Sequence, residues 1–291
     1  MAVQPTTTAV LDNSLPTMIA SARVTREQEG DMPGLVERKT LGQGMGRTWH
    51  EVSYAQLVAQ AVTETTNNEN IQQLSDTDFA ITPSMVQIAT SITDKVGRNI
   101  TKNGLRELAQ LGQNAMQRKK NEDGLTAADA TGSTQLGSAG SSMTFGLVAA
   151  GSANITGNTT EPGHVPIRAV MHPFHAKDIY DQMTAPVGTY DISDGETYRV
   201  FREGFKGMVN QAAVFENGDI TADGSDDGKS FVFAKEGMVL VQEMSPKMET
   251  ERKPGLGGGS TIVYHTDSYA YGIRQNQWVH EILADMQAPT S

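Results

Sequence analysis

Three residues of this sequence stand at a spacing that metal sites use. His172, His175 and Asp178 follow one another at three-residue steps, which on a helix would put them on one face as imidazole and carboxylate ligands. The set is incomplete. His172 precedes Pro173, which takes it out of any following helix, and no H-E-x-x-H or fourth ligand accompanies it. These residues read instead as the surface start of a helix. A second candidate is the acidic stretch ENGDITADGSDDGK, with Asn217, Asp219, Asp223, Asp226 and Asp227, joined by the Asp191/Asp194 pair. A calcium loop needs D-x-[DN]-x-[DN]-G and a distal Glu. That spacing is not met, and solvated turns have the same composition. A third is LGQGMGRTWH, where Gly42, Gly44 and Gly46 alternate. A phosphate loop would need a strand–loop–helix setting and a following G-K-[ST], and neither is present. No G-x-S-x-G nucleophile elbow occurs, and no Lys–Asn pair can be brought together from sequence alone. The chain is expected to have no enzymatic activity, no metal and no cofactor.

The elements around these residues suggest an architecture. Residues 1–32, with Thr6, Thr7, Thr8, Pro5 and Pro16, read as an arm, with a short helix over 17–29 that has no wide apolar stripe to stabilise it. Leu35, Val36, Glu37, Arg38 and Lys39 read as extended. Glycines follow, then Val52, Tyr54, Leu57, Val58 and Val62. Strand, glycine tip and strand predict a long protruding β-hairpin. After the Asn67, Asn68, Asn70 cluster, Pro83 is expected near a helix start with Thr82 as its cap.

The clearest helix is predicted over 99–121. Leu105, Leu108, Leu111, Ala115 and Met116 recur at three- and four-residue steps, Arg118, Lys119 and Lys120 fall in the last turn, and Gly124 marks the stop. Gly104 and Gly112 cost helix propensity and imply a close neighbour along that face. Residues 124–162 read as a Gly/Ser/Thr connector with one short helix. Val165–Met171 then Pro173 give strand and helix. Val209, Ala212, Val214 and Phe215 form a short strand, 229–243 holds two more, 246–260 ends in a flexible PGLGGGS tip, and 261–284 gives two β runs. The fold class is α+β.

The chain has 291 residues, net charge −11 and no cysteine. Disulfides, thiolate metal sites and Cys nucleophiles are excluded, and synthesis in a reducing cytoplasm is expected. A monomeric nucleic-acid reader normally carries a basic excess, so a transcription factor is disfavoured. A wall that should not stick tightly to packaged DNA is not. No apolar run approaches the roughly 18 residues of a membrane span, and residues 1–14 carry no secretory pattern. Aromatics are only 6% while glycine supplies 29 residues. A chain short of large core formers is expected to order its arms against other copies of itself.

The order of these pieces resembles the HK97-like major capsid proteins of tailed bacteriophages, over about residues 18 to 285. Residues 33–66, through AQAVTETTN, look like the extended E-loop. RELAQLGQNAMQRKKNEDG looks like the spine helix of the peripheral domain. VPIRAVMHPFHAKDIYDQM and GFKGMVNQAAVFENGDI look like axial-domain strands and helix, and SYAYGIRQNQWVHEILAD looks like the closing peripheral strands.

The resemblance implies an arm (1–32), E-loop (33–66), peripheral domain (67–160 and 238–291) and axial domain (161–237). It implies self-assembly into hexamers and pentamers of an icosahedral head around double-stranded DNA, bound without sequence preference, in a virion made in the host cytoplasm. It implies a scaffolding protein, a portal protein and a decoration protein as partners, with no membrane. Many relatives carry a long helical pro-segment. Only a short arm stands here, so a separate scaffold, or a cleaved segment, is expected. Contacts between subunits are expected at Leu35, Arg38, Gly42, Gly44, Gly46 and Trp49 of the E-loop and at Arg23 and Arg26 of the arm. Removing residues 36–60 is expected to leave a soluble subunit that forms no particles. The alternatives are an encapsulin-type compartment shell, a decoration or tail protein, and a hydrolase using the His172 region.

Overall fold

The computed structural model describes residues 31–64, 71–99, 102–184 and 207–289. The expected arm, its helix over 17–29, Arg23 and Arg26, and Asp191/Asp194 lie outside them. In chain order the elements are α1 (Met32–Leu35), β1 (Glu37–Thr40), β2 (Trp49–Tyr54), β3 (Asp76–Ile81), β4 (Ser84–Thr93), α2 (Asp94–Asn99), α3 (Lys102–Asp129), β5 (Leu136–Gly137), α4 (Phe145–Thr156), β6 (Ile167–Met171), α5 (Pro173–Thr184), β7 (Met208–Val209), β8 (Ala212–Glu216), β9 (Asp227–Ala234), β10 (Met238–Lys253), β11 (Ser260–Ile273) and β12 (Val279–Asp285). They make a sheet ordered β5-β12-β9-β6-β8-β7, a sheet ordered β1-β10-β11-β4, and a separate ribbon β2-β3.

The six-stranded sheet is covered on both faces, so its central strand β9 reads as a nearly continuous apolar run, SFVFA. On one face α4 and α5 bring Val148, Ile155, Ala176 and Ile179 against Ile167, Ala169, Met171, Val232 and Ile282. Thr144 caps α4, its hydroxyl accepting from the Leu147 N–H at 3.3 Å. The other core cluster joins Leu125 and Ala128 of α3 to Val170, Phe231, Phe233 and Val279, and also to Leu240 and Tyr269 of the second sheet. One helix therefore seals both sheets.

Helix α3 does not stop near Gly124 but runs on to Asp129. Gly124 is there for contact: a Cβ on it would lie 2.9 Å from Met32 Cβ and 3.1 Å from the Tyr271 ring. Gly112 likewise faces His265, whose Nε2 would lie 2.7 Å from an added Cβ. Glycine punctuation and glycine close packing look alike in sequence. Beside Gly124, buried Asn121 forms a knot. Its Oδ1 accepts from the Met32 N–H at 3.2 Å and from Asn217 Nδ2 at 2.9 Å, while its Nδ2 donates to Asn217 Oδ1 at 3.1 Å and Asp219 Oδ2 at 2.5 Å.

Two further expectations are corrected. Pro83 starts no helix; it is buried in the turn from β3 to β4. Thr82 caps nothing there, its hydroxyl pairing with Thr48 Oγ1 at 2.9 Å. All ten residues of β4 pair with β11, and this tertiary ladder overrides the local signal. Residues 246–253 form the second half of β10, paired with β11 as far as Lys253↔Ser260, and the PGLGGGS stretch lies at the turn between the two strands. Finally, the glycine-tipped hairpin is wired differently. β1 pairs in parallel with β10, Glu37↔Val239 to Thr40↔Gln242. β2 pairs with β3, Trp49↔Ile81 to Tyr54↔Asp76. Gly42, Gly44 and Gly46 form the exposed turn that leads from sheet to ribbon, with φ of +86° at Gly44 and +90° at Gly46, a region open to glycine. The ribbon therefore crosses the boundary expected at residue 66.

Candidate assembly surfaces

The ribbon is fixed to the body at its base. Ile81 and Leu41 pack on Val239 and Val241 of β10, with Trp49 and Phe79 beside them. The two rings meet edge to face, 6.1 Å between centroids. Gly272 of β11 lets the ribbon approach, because a Cβ there would sit 2.7 Å from Ile81 Cδ1. Arg274 adds a polar clamp. Its Nη1 donates to Glu37 Oε2 of β1 and the Glu236 carbonyl, both at 2.6 Å, and its Nη2 donates to Glu51 Oε2 of β2 at 2.9 Å. Burial pushes the Glu37 carboxyl up, but hydrogen bonds from Lys39 and Arg274 outweigh it and hold its pKa below the usual range. Arg274→Met should cost about 1–2 kcal/mol, since charge-assisted bonds are lost but both carboxylates keep some access to water. Amide exchange should then quicken in β2 and β3 while the six-stranded sheet stays protected; unchanged ribbon exchange would remove the clamp's role.

Beyond its base the ribbon leaves the body. Residues 52–64 and 71–78 are exposed throughout. Among them are Val52, Tyr54, Leu57, Val58, Val62, Ile71 and Leu74, at 48–92% exposure. That many large apolar side chains on one projection mark an interaction surface. A two-stranded ribbon on its own is marginal in water, so this projection has its natural burial against something else.

The expected contact residues divide. Gly42, Gly44 and Gly46 lie on the exposed turn, or half-exposed in the case of Gly42. Arg38 is exposed, its Nε donating to the Pro33 carbonyl at 2.5 Å. Trp49 is half-buried on Phe79, and Leu35 is 4% exposed, sealed into this chain's own core. Val52, Tyr54, Leu57, Val58 and Val62 read in sequence as hairpin strand, with no individual contact role. Ile71 and Leu74 were missed because their stretch reads as a polar connector; the alternation in DTDFAI downstream was the available signal.

The chemistry-bearing residues serve the fold. His172 lies before α5, its Nδ1 accepting from the Phe174 N–H at 3.2 Å. His175 is fully buried, with Nδ1 2.8 Å from Ser230 Oγ and Nε2 3.3 Å from the Ala284 carbonyl. Asp178 Oδ2 accepts from the Met143 N–H. The Asp223 carboxylate accepts from the N–H groups of Ser225 and Asp227, and Asp227 from that of Gly140. Among the described residues no three His, Asp or Glu side chains are grouped to hold a metal. Burial pushes the pKa values of His172, His175 and His280 below the ordinary imidazole value. The unfolded chain then takes up protons first as pH falls below about 6.5, so stability held above that pH declines beneath it. The urea midpoint should fall between about pH 7.5 and about 5.5; a flat midpoint would mean these rings are not kept neutral by the fold.

This arrangement, two sheets sealed by one long helix with a projecting ribbon, is the HK97-like capsid fold. No family model and no curated protein matches the sequence. Solved structures do. A structure of Mycobacterium phage Che8 superposes with TM-score 0.71 at 16% identity, covering 90% of this chain and 94% of the other. The acid-stable capsid of Helicobacter pylori bacteriophage KHP30 does so with TM-score 0.70 at 9% identity, covering 99% and 100%. The holo-SrpI encapsulin complex from Synechococcus elongatus gives 0.64 at 8% identity, covering 94% of each chain.

Proposed function

We propose that this chain is the major capsid protein of a tailed phage, assembling as hexamers and pentamers into an icosahedral head around double-stranded DNA. Its role is structural, not catalytic, and its site of action is the virion. The observation that carries the reading is the ribbon: a projection lined by exposed Val, Leu, Ile and Tyr side chains, anchored rigidly at its base and lacking a partner surface among the described residues. Repeated from copy to copy, such a contact closes a shell. The net charge of −11 suits a container wall that holds DNA without gripping it. A scaffolding protein, a portal protein and a decoration protein belong to this reading as partners. None of the described helices is long and apolar enough to cross a membrane.

A second reading, an encapsulin-type compartment, is favoured by the shared fold of the Synechococcus complex. Electron microscopy of the purified protein should reveal closed shells, and nuclease-protected nucleic acid inside native particles should accompany them. Tubes or rings would overturn the shell, and enclosed enzyme without nucleic acid would transfer the assignment to the compartment.

A further inference from the structure

The knot around Asn121 includes a residue that can modify itself. Asn217 is followed by Gly218. In such a pair the glycine nitrogen can attack the asparagine side-chain amide carbon, because glycine has no Cβ to crowd the approach. A new C–N bond forms, the old one to the side-chain nitrogen breaks, and ammonia leaves with the proton of the glycine N–H. The product is a cyclic imide, a succinimide. Water then opens that ring at either carbonyl. The result is aspartate, or its isomer in which the main chain runs through the side-chain carboxyl. The sequence has a second such pair, Asn103-Gly104.

The fold restrains the Asn217 amide at both of its polar atoms. The residue is 2% exposed. Its Oδ1 accepts from the Asp219 N–H at 3.0 Å and from Asn121 Nδ2 at 3.1 Å, and its Nδ2 donates to Asn121 Oδ1 at 2.9 Å. Its own N–H donates to the Met171 carbonyl at 2.8 Å, where the pairing of β6 with β8 ends. Ring closure releases the side-chain nitrogen and so breaks its bond to Asn121, and the second step needs water in a buried place.

The product does not fit the same setting. A carboxylate at position 217 offers Asn121 Oδ1 no donor. Turning the Asn121 amide over would supply one, but would set its NH2 group against the Met32 N–H. The new charge would also stand beside Asp219, which shares Asn121 Nδ2. The isomer lengthens the main chain at the residue that pairs with Met171. Buried polar groups and charges without partners are costly.

We infer that Asn217 is a self-modification site gated by folding: closed in the folded subunit, converted by water in chains that stay open, and then unable to rejoin Met32 and Asn121. Chains that linger unfolded are thereby retired from the pool that can fold. The inference is independent of the shell reading, and its test is made on the single chain.

The full chain is held in native buffer and, in parallel, in concentrated guanidinium chloride, both at mildly alkaline pH. Peptides carrying Asn217 and Asn103 are followed by mass, and by chromatography that separates the two isomers. In denaturant both sites should convert at similar rates, to both isomers. In native buffer Asn217 should convert roughly a hundredfold more slowly or less, since only rare opening frees it. Gly218→Ala should slow conversion in denaturant by roughly tenfold or more, by crowding the attacking nitrogen. Asn217→Asp should lower the folding constant by roughly tenfold or more; failure to fold at all carries the same conclusion.

Equal rates at Asn217 with and without denaturant overturn the gate. No conversion in denaturant overturns the site. An undiminished rate in Gly218→Ala overturns the succinimide route. An Asn217→Asp chain with the parent's denaturation midpoint overturns the retirement of converted chains.

Discussion

Replacing residues 55–75 with an Asn-Gly turn should leave a folded, soluble subunit that forms no shells. The described part of that stretch is exposed and touches none of the three core clusters. Its removal should change subunit stability by no more than about 0.5 kcal/mol, as for surface changes generally. Assembly is another matter. Leu57, Val58, Val62, Ile71 and Leu74 are 55–92% exposed, and each large apolar side chain, once buried on a neighbour, contributes about 1.5–3 kcal/mol. Losing five such groups from every repeated contact should abolish closure. Asn-Gly is chosen because it forms the tight turn that joins antiparallel strands, so β2, β3 and the Arg274 clamp survive. Cutting 36–60 instead would remove β1 and Leu41, both part of the body, and would confuse misfolding with failed assembly. Sedimentation and electron microscopy decide the matter: shells of normal size from the shortened chain would end the ribbon's role.

Lys120→Met should destabilise the subunit by about 3–5 kcal/mol, the range for stranding one charge of a buried pair. Lys120 Nζ donates to Asp267 Oδ2 at 2.5 Å, and the two side chains are 8% and 3% exposed. The ammonium also lies 4.6 Å from the centroid of the Tyr269 ring. Asp267 Oδ1 is held by the Ser268 N–H at 2.8 Å and Gln242 Nε2 at 3.3 Å. These two donors do not neutralise the carboxylate. Adding Asp267→Leu should recover much of the loss, because an apolar replacement of a whole buried pair is often neutral. The comparison belongs in the shortened, non-assembling background, where unfolding is not tied to protomer concentration. A loss under about 1 kcal/mol in urea would mean that water reaches the pair.

Much of this molecule was legible in its sequence, for identifiable reasons. Pro173 begins α5 where proline suits a first helical turn. The apolar run SFVFA and the β-branched and aromatic residues of TIVYHTDSYAYGI mark β9 and β11. What stayed hidden were long-range choices. Leu35 through Lys39 looked like half of a local hairpin, yet the strand found its partner at Val239–Gln242, two hundred residues away. Gly124 looked like a stop signal because nothing local reveals that Met32 and Tyr271 press against it. The ribbon's second strand lay past an asparagine cluster, and with it Ile71 and Leu74. Local chemistry predicts elements; which of them meet is decided by burial, which one sequence does not display.

Helix α3, with one stretch of side chains set into both sheets, has a mechanical consequence. A body keyed in that way resists internal bending, since sliding one sheet past the other would tear Leu125, Phe233, Leu240 and Tyr269 out of a common packing. Any swelling or flattening of a lattice made from this chain would therefore have to be absorbed at the joints: tiles that tilt and a flap that flexes, around a keel that does not.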